Sequence, residues 1–297
     1  MALTGTAEAT EAIYTAIISA SFKQELGSAV VVAPMARFHD LSGEASGAWD
    51  VLKWPNIDAS VTTPLAETSD LTFTALNPTS VRITAAEAGI AAELTDRLMN
   101  RNVLQEGIAV EIGQYLSRAL QRTVESDLCT LFSSFSSSVG TTGTDLDEAD
   151  ILQAIFTIEN ADGGGGIVGV IPPVMAWDIR KAMTLVATAG TSLATGTIKA
   201  GMDMNAIGAM NNGAGGLWTT IYNVPFYITT KCPTSAGDRH GAMFNVGQAI
   251  GMAAKFFGRI EFERNASFRT TEICCVSDFG VGEIEDAQGV RLLAAST

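Results

Sequence analysis

Apolar positions along this chain change period several times, and each change marks an element. From about Ala7 to Leu26, Ile13, Ala16, Ile17 and Ala20 recur at helical spacing and Gly27 supplies a stop, which predicts a short amphipathic arm. The run VVVAPM (Val30 to Met35) reads as a brief buried strand, after which FHDLSGEASGAWD loses all periodicity. Between Trp49 and Ile83, two extended pieces, WDVLKWPNIDASV and DLTFTALNPTSVRI, flank the turn-rich TTPLAETS and predict a long β-hairpin. Arms of roughly a dozen residues at about 3.3 Å each span on the order of 40 Å, and a lone two-stranded ribbon of that kind is marginal in water. The hairpin is therefore expected to lean on another subunit.

RITAAEAGIAAELTDRL reads as a strand followed by a short helical turn. The clearest helix then runs from about Leu104 to Phe135. Its stripe is Leu104, Ile108, Ile112, Tyr115, Leu116, Ala119, Val124, Leu128, Leu131, Phe132 and Phe135, with Glu111, Arg118, Arg122 and Glu125 off it. About 30 residues at 1.5 Å each make a rod of roughly 45 Å, a scaffold and not a pocket. SSFSSSVGTTGTD breaks the pattern, and a Thr144-to-Asp147 capping pattern opens the next helix at ILQAIFTIEN. GGGGIVGVIPPVMAWDIRKAM then gives a glycine stop, a buried strand and a helix started by Pro172 and Pro173. Thr188 to Gly216, rich in Gly, Ala, Thr, Asn and Met, reads as loop. From Leu217 onward the pattern is mainly β, closing on a hairpin whose turn is DAQG before VRLLAA.

Composition narrows the class. With 297 residues and 47% hydrophobic content, the chain can bury a large core, as one domain or two interlocked subdomains. Only 17% of residues are charged, sparse for a monomer that must solvate its whole surface, so neighbours are expected to cover part of it. The formal net charge of −14 opposes attraction to phosphate backbones and disfavours a nucleic-acid reader, though not a container wall around nucleic acid. Cys129, Cys232, Cys274 and Cys275 contain no C-x-x-C pair and read as small buried hydrophobes in a reduced compartment. The start MALTGTAEATEAIY lacks a signal-peptide layout, and no apolar run approaches the roughly 18 residues of a membrane helix, so a cytosol-like location is expected.

Candidate chemistry changes the picture little. Gly164, Gly166 and Gly169 satisfy G-x-G-x-x-G, but the dinucleotide fingerprint needs a strand before the glycines and a helix after, and here the order is helix, glycines, strand. No G-K-[ST] exists for a phosphate loop. His39 and His240 have no Cys, His or paired carboxylates at ligand spacing, and read as polar loop residues. Asp145, Asp147, Glu148 and Asp150 coincide with a helix start and read as caps favoured by the macrodipole. Lys53, between Trp49 and Trp54, reads as a solvated ammonium with aromatic anchors, and exposed Trp on a projecting arm points to subunit contact. Trp49, Lys53, Trp54 and Phe73 are the candidate interface residues; no catalytic, cofactor or metal residue is expected. N-A-S at Asn265 to Ser267 matches a glycosylation sequon without a secretory signal to use it.

The order of parts resembles the major capsid fold of tailed bacteriophages, which encapsulins share. TALNPTSVRITAAEAGIAAELTDRL leading into the long helix carries the resemblance, with the closing GQAIGMAAKFFGRIEFERNASFRTTEICCVSDFGVGEIEDAQGVRLL. It implies an α+β chain divided into an N-terminal arm (1–37), an extended loop hairpin (38–80), a peripheral domain with the spine helix (81–144), an axial domain (145–220), and an axial-domain return with the peripheral-domain sheet (221–297). It also implies hexamers and pentamers tiling an icosahedral shell around double-stranded DNA, assembled in a host cytoplasm. The partners it implies are further copies of the chain, a portal protein, a separate scaffolding protein and, in some members, decoration proteins, with no cofactor. Some members cross-link an extended-loop lysine to a peripheral-domain asparagine, for which Lys53 and Asn245 or Asn265 are formally available. The alternatives are an encapsulin-like compartment that holds protein cargo, and an enzyme of unrecognised α+β class using the 188–216 stretch as a lid.

Overall fold

A computed structural model describes residues 18–20, 30–53, 77–97, 105–161, 166–188, 217–235 and 237–295. In chain order these form β1 (Arg37–Asp40), β2 (Ala48–Lys53), β3 (Thr79–Thr84), β4 (Ala86–Thr95), α1 (Gln105–Thr130), β5 (Ser138–Val139), α2 (Glu148–Asn160) and β6 (Ile167–Ile171). There follow α3 (Pro173–Thr188), β7 (Leu217–Ile221), β8 (Val224–Ile228), β9 (Thr234–Ser235), β10 (Asp238–Asn245), β11 (Ile250–Asn265), β12 (Thr270–Glu283) and β13 (Gly289–Ala295). The strands make a four-stranded sheet β1-β11-β12-β4, a seven-stranded sheet β5-β13-β10-β6-β8-β7 with β9 on β10, and the two-stranded ribbon β2-β3.

Helix α1 ties the two large sheets together because its stripe outlasts either of them. Its N-terminal half lays Leu116 and Leu120 on Leu94, Ile273 and Cys275 of the four-stranded sheet, with Ile18 of the N-terminal arm in the same cluster. Its C-terminal half, with Val124 and Leu128, continues through Phe132 into Val168, Val170, Ala242 and Phe244 of the seven-stranded sheet. Ile250, Met252, Ala254 and Phe279 from the start of the other sheet close that cluster. The opposite face of the seven-stranded sheet carries α2 (Ile151, Ala154, Ile158) and α3 (Met175, Ala176, Ile179) over Phe226, Met243, Val290 and Leu292. The alternation along β10 makes this possible: Ala242 and Phe244 face one layer, Met243 the other.

Several local expectations change. Val30 to Met35 is not a strand: Ala33–Met35 forms a 3₁₀ turn, with Pro34 in its first turn. Short apolar runs do not discriminate between helix and strand, and Pro fixes φ and lacks a ladder donor. The segment after it is less irregular than its pattern suggests, since Arg37–Asp40 pairs in parallel with residues 251–254 of β11. On α1, Tyr115 is exposed and Glu125, expected on the solvent side, is buried. The cap of α2 is Asp147, not Thr144: the Asp147 carboxylate accepts from the Asp150 backbone N–H at 2.9 Å, and Asp150 accepts from the Asp147 N–H at 3.2 Å. Asp147→Ala removes the carboxylate that accepts from the Asp150 N–H, leaving the Asp147 N–H to Asp150 half in place, and is expected to lower stability by about 1 kcal/mol, read as a shift in urea midpoint.

The closing segment is not a hairpin. β12 belongs to the four-stranded sheet, whereas β13 pairs antiparallel with β10 in the other. Besides the passage from β4 through α1 to β5, the chain crosses between the large sheets from β10 to β11 and from β12 to β13, and these last two crossings bond to each other. The Ile284 and Glu285 N–H groups donate to the Ala249 carbonyl at 2.8 and 3.3 Å, and Asn245 Nδ2 donates to Gln288 Oε1 at 3.2 Å. Cys274 and Cys275 do take opposite faces of β12, with Cys275 buried and Cys274 half-buried.

Candidate assembly surfaces

The base of the predicted hairpin is present as the β2-β3 ladder, in register from Ala48↔Thr84 to Lys53↔Thr79. Among the described residues it has only its own two strands, so tertiary seating must hold it. Trp49 and Val51 on the inner face of β2, with Ile83 on β3, pack with Leu41, Ala253 and Ile284. Beneath them β11 and β12 present glycines: a Cβ at Gly280 would lie 2.2 Å from the Thr84 carbonyl oxygen, and one at Gly282 would lie 2.7 Å from Ile83. The ribbon sits on backbone with almost no space between.

Trp49, expected on an exposed arm, is instead 9% exposed within its own chain. Its indole is sandwiched: His39 stacks on it at 4.9 Å between centroids, and the Arg37 guanidinium lies 5.5 Å from the ring. Both residues lie on β1, a strand that the pattern did not reveal. Lys53 is not a free solvated ammonium either, because its Nζ lies 3.4 Å from Glu285 Oε2. Trp54, Phe73 and the 189–216 stretch lie outside the described residues. Of the two asparagines considered for cross-linking, Asn245 is fully buried and bonded to Gln248 and Gln288, and Asn265 donates to Glu272 at the β11-β12 turn.

Side chains with chemical potential are placed structurally. Among the described residues no group of three or more His, Cys, Asp or Glu side chains could hold a metal ion. His39 bonds Glu44 at 3.0 Å. His240, expected in a loop, is buried on β10, where burial and then the neighbouring Arg291 push its imidazole below its ordinary value. The free Cys129 thiol, hydrogen-bonded to the free Cys232 thiol and buried, is held far above the usual thiol range, and burial pushes Cys275 up to about 11, so neither supplies a thiolate at neutral pH. Gly169 has a packing reason: a Cβ there would lie 2.4 Å from the Phe226 ring across the β6-β8 pair. No described helix is long and apolar enough to cross a membrane.

What the surface does offer is large apolar side chains. Leu152 and Phe156, one turn apart on α2, are 44% and 66% exposed, and Trp177 on α3 is 65% exposed. These three lie on the two helices that cover the outer face of the seven-stranded sheet, and their inward neighbours Ile151, Ala154 and Ala176 are buried beneath them. Phe38 and Leu52 near the ribbon, Tyr115 on α1 and Phe268 at the β11-β12 turn are exposed as well. Scattered single hydrophobes need no explanation, but an apolar pair one turn apart on one helix makes an exposed apolar patch, and Trp177 adds a large exposed ring on α3.

No protein-family model matches the sequence, and no curated protein matches it. Solved structures do match the fold over almost the whole chain. The capsid structure of Cyanophage P-SCSP1u superposes with a TM-score of 0.61 over 91% of this chain and 89% of that one, at 14% identity. A structure from Mycobacterium phage Che8 gives 0.63 over 89% and 90%, at 14% identity. An encapsulin complex from Synechococcus elongatus PCC 7942 gives 0.58 over 86% and 84%, at 11% identity. At such identities the likeness lies in the order and packing of elements, not in shared residues. The chain has the α+β shell-protein fold that these phage capsids share with encapsulins.

Proposed function

We propose that this chain is the major capsid protein of a tailed bacteriophage, assembling as hexamers and pentamers into an icosahedral shell around double-stranded DNA. The observation that carries the reading is the match of phage structures, a cyanophage capsid among them, over about nine-tenths of the chain. Two physical features agree with it. Large apolar side chains on α2 and α3 are open to solvent, and the net charge of −14 suits a wall that does not grip the nucleic acid it encloses. Copies of the chain are the principal partners under this reading; a portal protein, a separate scaffolding protein and decoration proteins are its further expectations, in a virion assembled in the host cytoplasm.

The second reading, an encapsulin-like compartment, is favoured by the encapsulin match, which covers 86% of the chain. Negative-stain microscopy and size-exclusion chromatography of the purified protein test what the readings share: closed particles or capsomer rings are expected, and a monodisperse monomer under every assembly condition refutes both. Nuclease-protected DNA with a co-purifying portal protein selects the phage reading, and a packaged enzyme selects the compartment. Phe156→Asp combined with Trp177→Asp tests the exposed helical face. Because both side chains are about two-thirds exposed, thermal stability of the subunit is expected to stay within about 0.5 kcal/mol of the parent while particles disappear. Particles that form normally would remove α2 and α3 from the contact.

A further inference from the structure

Strand β2 alternates Trp49, Val51 and Lys53 on one face, and only the first two meet an apolar seat. The third reaches the β12-β13 crossing, where three carboxylates gather. Lys53 Nζ lies 3.4 Å from Glu285 Oε2, with the lysine side chain 22% exposed. Glu283 Oε2 accepts from the Ser134 hydroxyl at 2.7 Å. Asp286 accepts from the Ser136 N–H at 2.8 Å and from the Ser136 hydroxyl. Glu283 and Asp286 act on each other electrostatically, and each feels the Lys53 charge. Ser134 and Ser136 follow directly on the 3₁₀ turn that ends α1. One small cluster thus joins the ribbon, the crossing between the two sheets, and the end of the long helix.

We propose that Lys53 with Glu283, Glu285 and Asp286 forms a proton-sensitive clasp that sets the angle of the β2-β3 ribbon relative to the two sheets. The ribbon has no third strand among the described residues, and the apolar seat of β2 ends at Val51, so Lys53 is the residue that ties the end of the described strand to the crossing. The groups facing one another are Lys53 from β2, Glu283 from β12, and Glu285 and Asp286 from the crossing. The end of α1 contributes the uncharged Ser134 hydroxyl and the Ser136 hydroxyl and N–H, and Asp50 on the outer face of β2 is occupied with Arg82 at 3.8 Å.

The sign of the response follows from the two coupled carboxyls. Burial, reinforced by Asp286, pushes Glu283 above its ordinary value despite the Ser134 bond. Burial also pushes Asp286 up, but the Ser136 bonds outweigh it and leave Asp286 below its ordinary value. Between the two values the pair holds one proton and keeps one negative charge for Lys53. As pH falls through the depressed value of Asp286, that charge goes and the stability it contributed above the ordinary value is lost. As pH rises through the raised value of Glu283, the shared proton goes and two carboxylates repel, with Lys53 offsetting part of the repulsion. The attraction to Lys53 is thus lost in acid, below the depressed value of Asp286, whereas above the raised value of Glu283 that attraction persists against carboxylate repulsion.

Hydrogen exchange on the full chain, free or assembled, tests the clasp and does not depend on whether the chain builds a shell. Lys53→Glu is expected to speed exchange of the amides in β2 and β3 by about tenfold while leaving α2 unchanged, and adding Glu285→Lys is expected to restore protection. Lys53→Met keeps the aliphatic stem and removes the charge, so it is expected to loosen the ribbon at neutral pH and abolish the extra loosening in acid. Unchanged ribbon exchange in Lys53→Glu, or no restoration in the double reversal, overturns the proposal, as does a Lys53→Met ribbon that behaves like the parent at every pH.

Discussion

Phe132→Ala is expected to destabilise the subunit by about 3–5 kcal/mol, the range for truncating a fully buried aromatic that cannot be replaced by collapse of its surroundings. Phe132 is 0% exposed and follows α1 directly, in a cluster fed by α1, both large sheets and the segment before β1. Its ring lies 5.9 Å from that of Phe244, in the centre of the seven-stranded sheet. Next to it, Phe135 leaves no space at Gly289, where a Cβ would lie 2.2 Å from the ring, so the site is rigid on two sides. A rigid wall cannot move in to fill the void, which places the cost toward the upper end. The matched control is Phe156→Ala, which deletes the same ring from a position 66% exposed and is expected to change the urea midpoint by less than about 0.5 kcal/mol. Urea unfolding of both variants decides it: a Phe132→Ala loss below about 1 kcal/mol means that α1 and the two sheets do not unfold as one unit.

The contrast between those two phenylalanines shows what the sequence conveys. Long periodic segments were legible, because each extra turn adds independent evidence for one face. The stripe of α1, the strand and helix around Pro173, and the β-rich C-terminal third all appear where the pattern puts them. What failed was anything decided by a partner distant in sequence. Arg37 to Asp40 carries no alternation of its own and is a strand only because β11 lies beside it. The DAQG turn signal is genuine, with a 3₁₀ turn at Asp286–Gln288, yet the strands on either side belong to different sheets. A local turn cannot say which sheet the next strand joins. Trp49 was misplaced for the same reason, since its sandwich is made by residues on an unrecognised strand and its seat by glycines more than 200 positions away.

Glu125 is the most consequential of these misses and the source of the second large effect. Polar residues at Ser117, Gln121 and Glu125 recur every four positions beside the apolar stripe of α1, and all three are buried. That second stripe was the available signal, and it points at the N-terminal segment. Glu125 Oε2 accepts from the N–H groups of Val31 and Val32, both at 3.1 Å, and thereby joins the entry of the chain to the long helix 93 and 94 positions on. Glu125→Ala leaves two N–H groups without their acceptor and is expected to cost about 2–4 kcal/mol. Glu125→Gln keeps a carbonyl oxygen for those donors and removes a buried charge, so its cost is expected to stay below about 1 kcal/mol. The two variants also separate by pH. Burial pushes the Glu125 carboxyl above its ordinary value, against the bonds from Val32, Thr229 and Val31. The folded chain therefore binds more protons than the unfolded chain between the ordinary and raised values, and stability from this group falls as pH rises through that interval. Glu125→Gln is expected to lose that slope and leave the rest of the pH profile in place, as measured by urea midpoints across the acidic range. Equal losses in the Ala and Gln variants would show that the carboxylate does not act as the acceptor that holds Val31 and Val32.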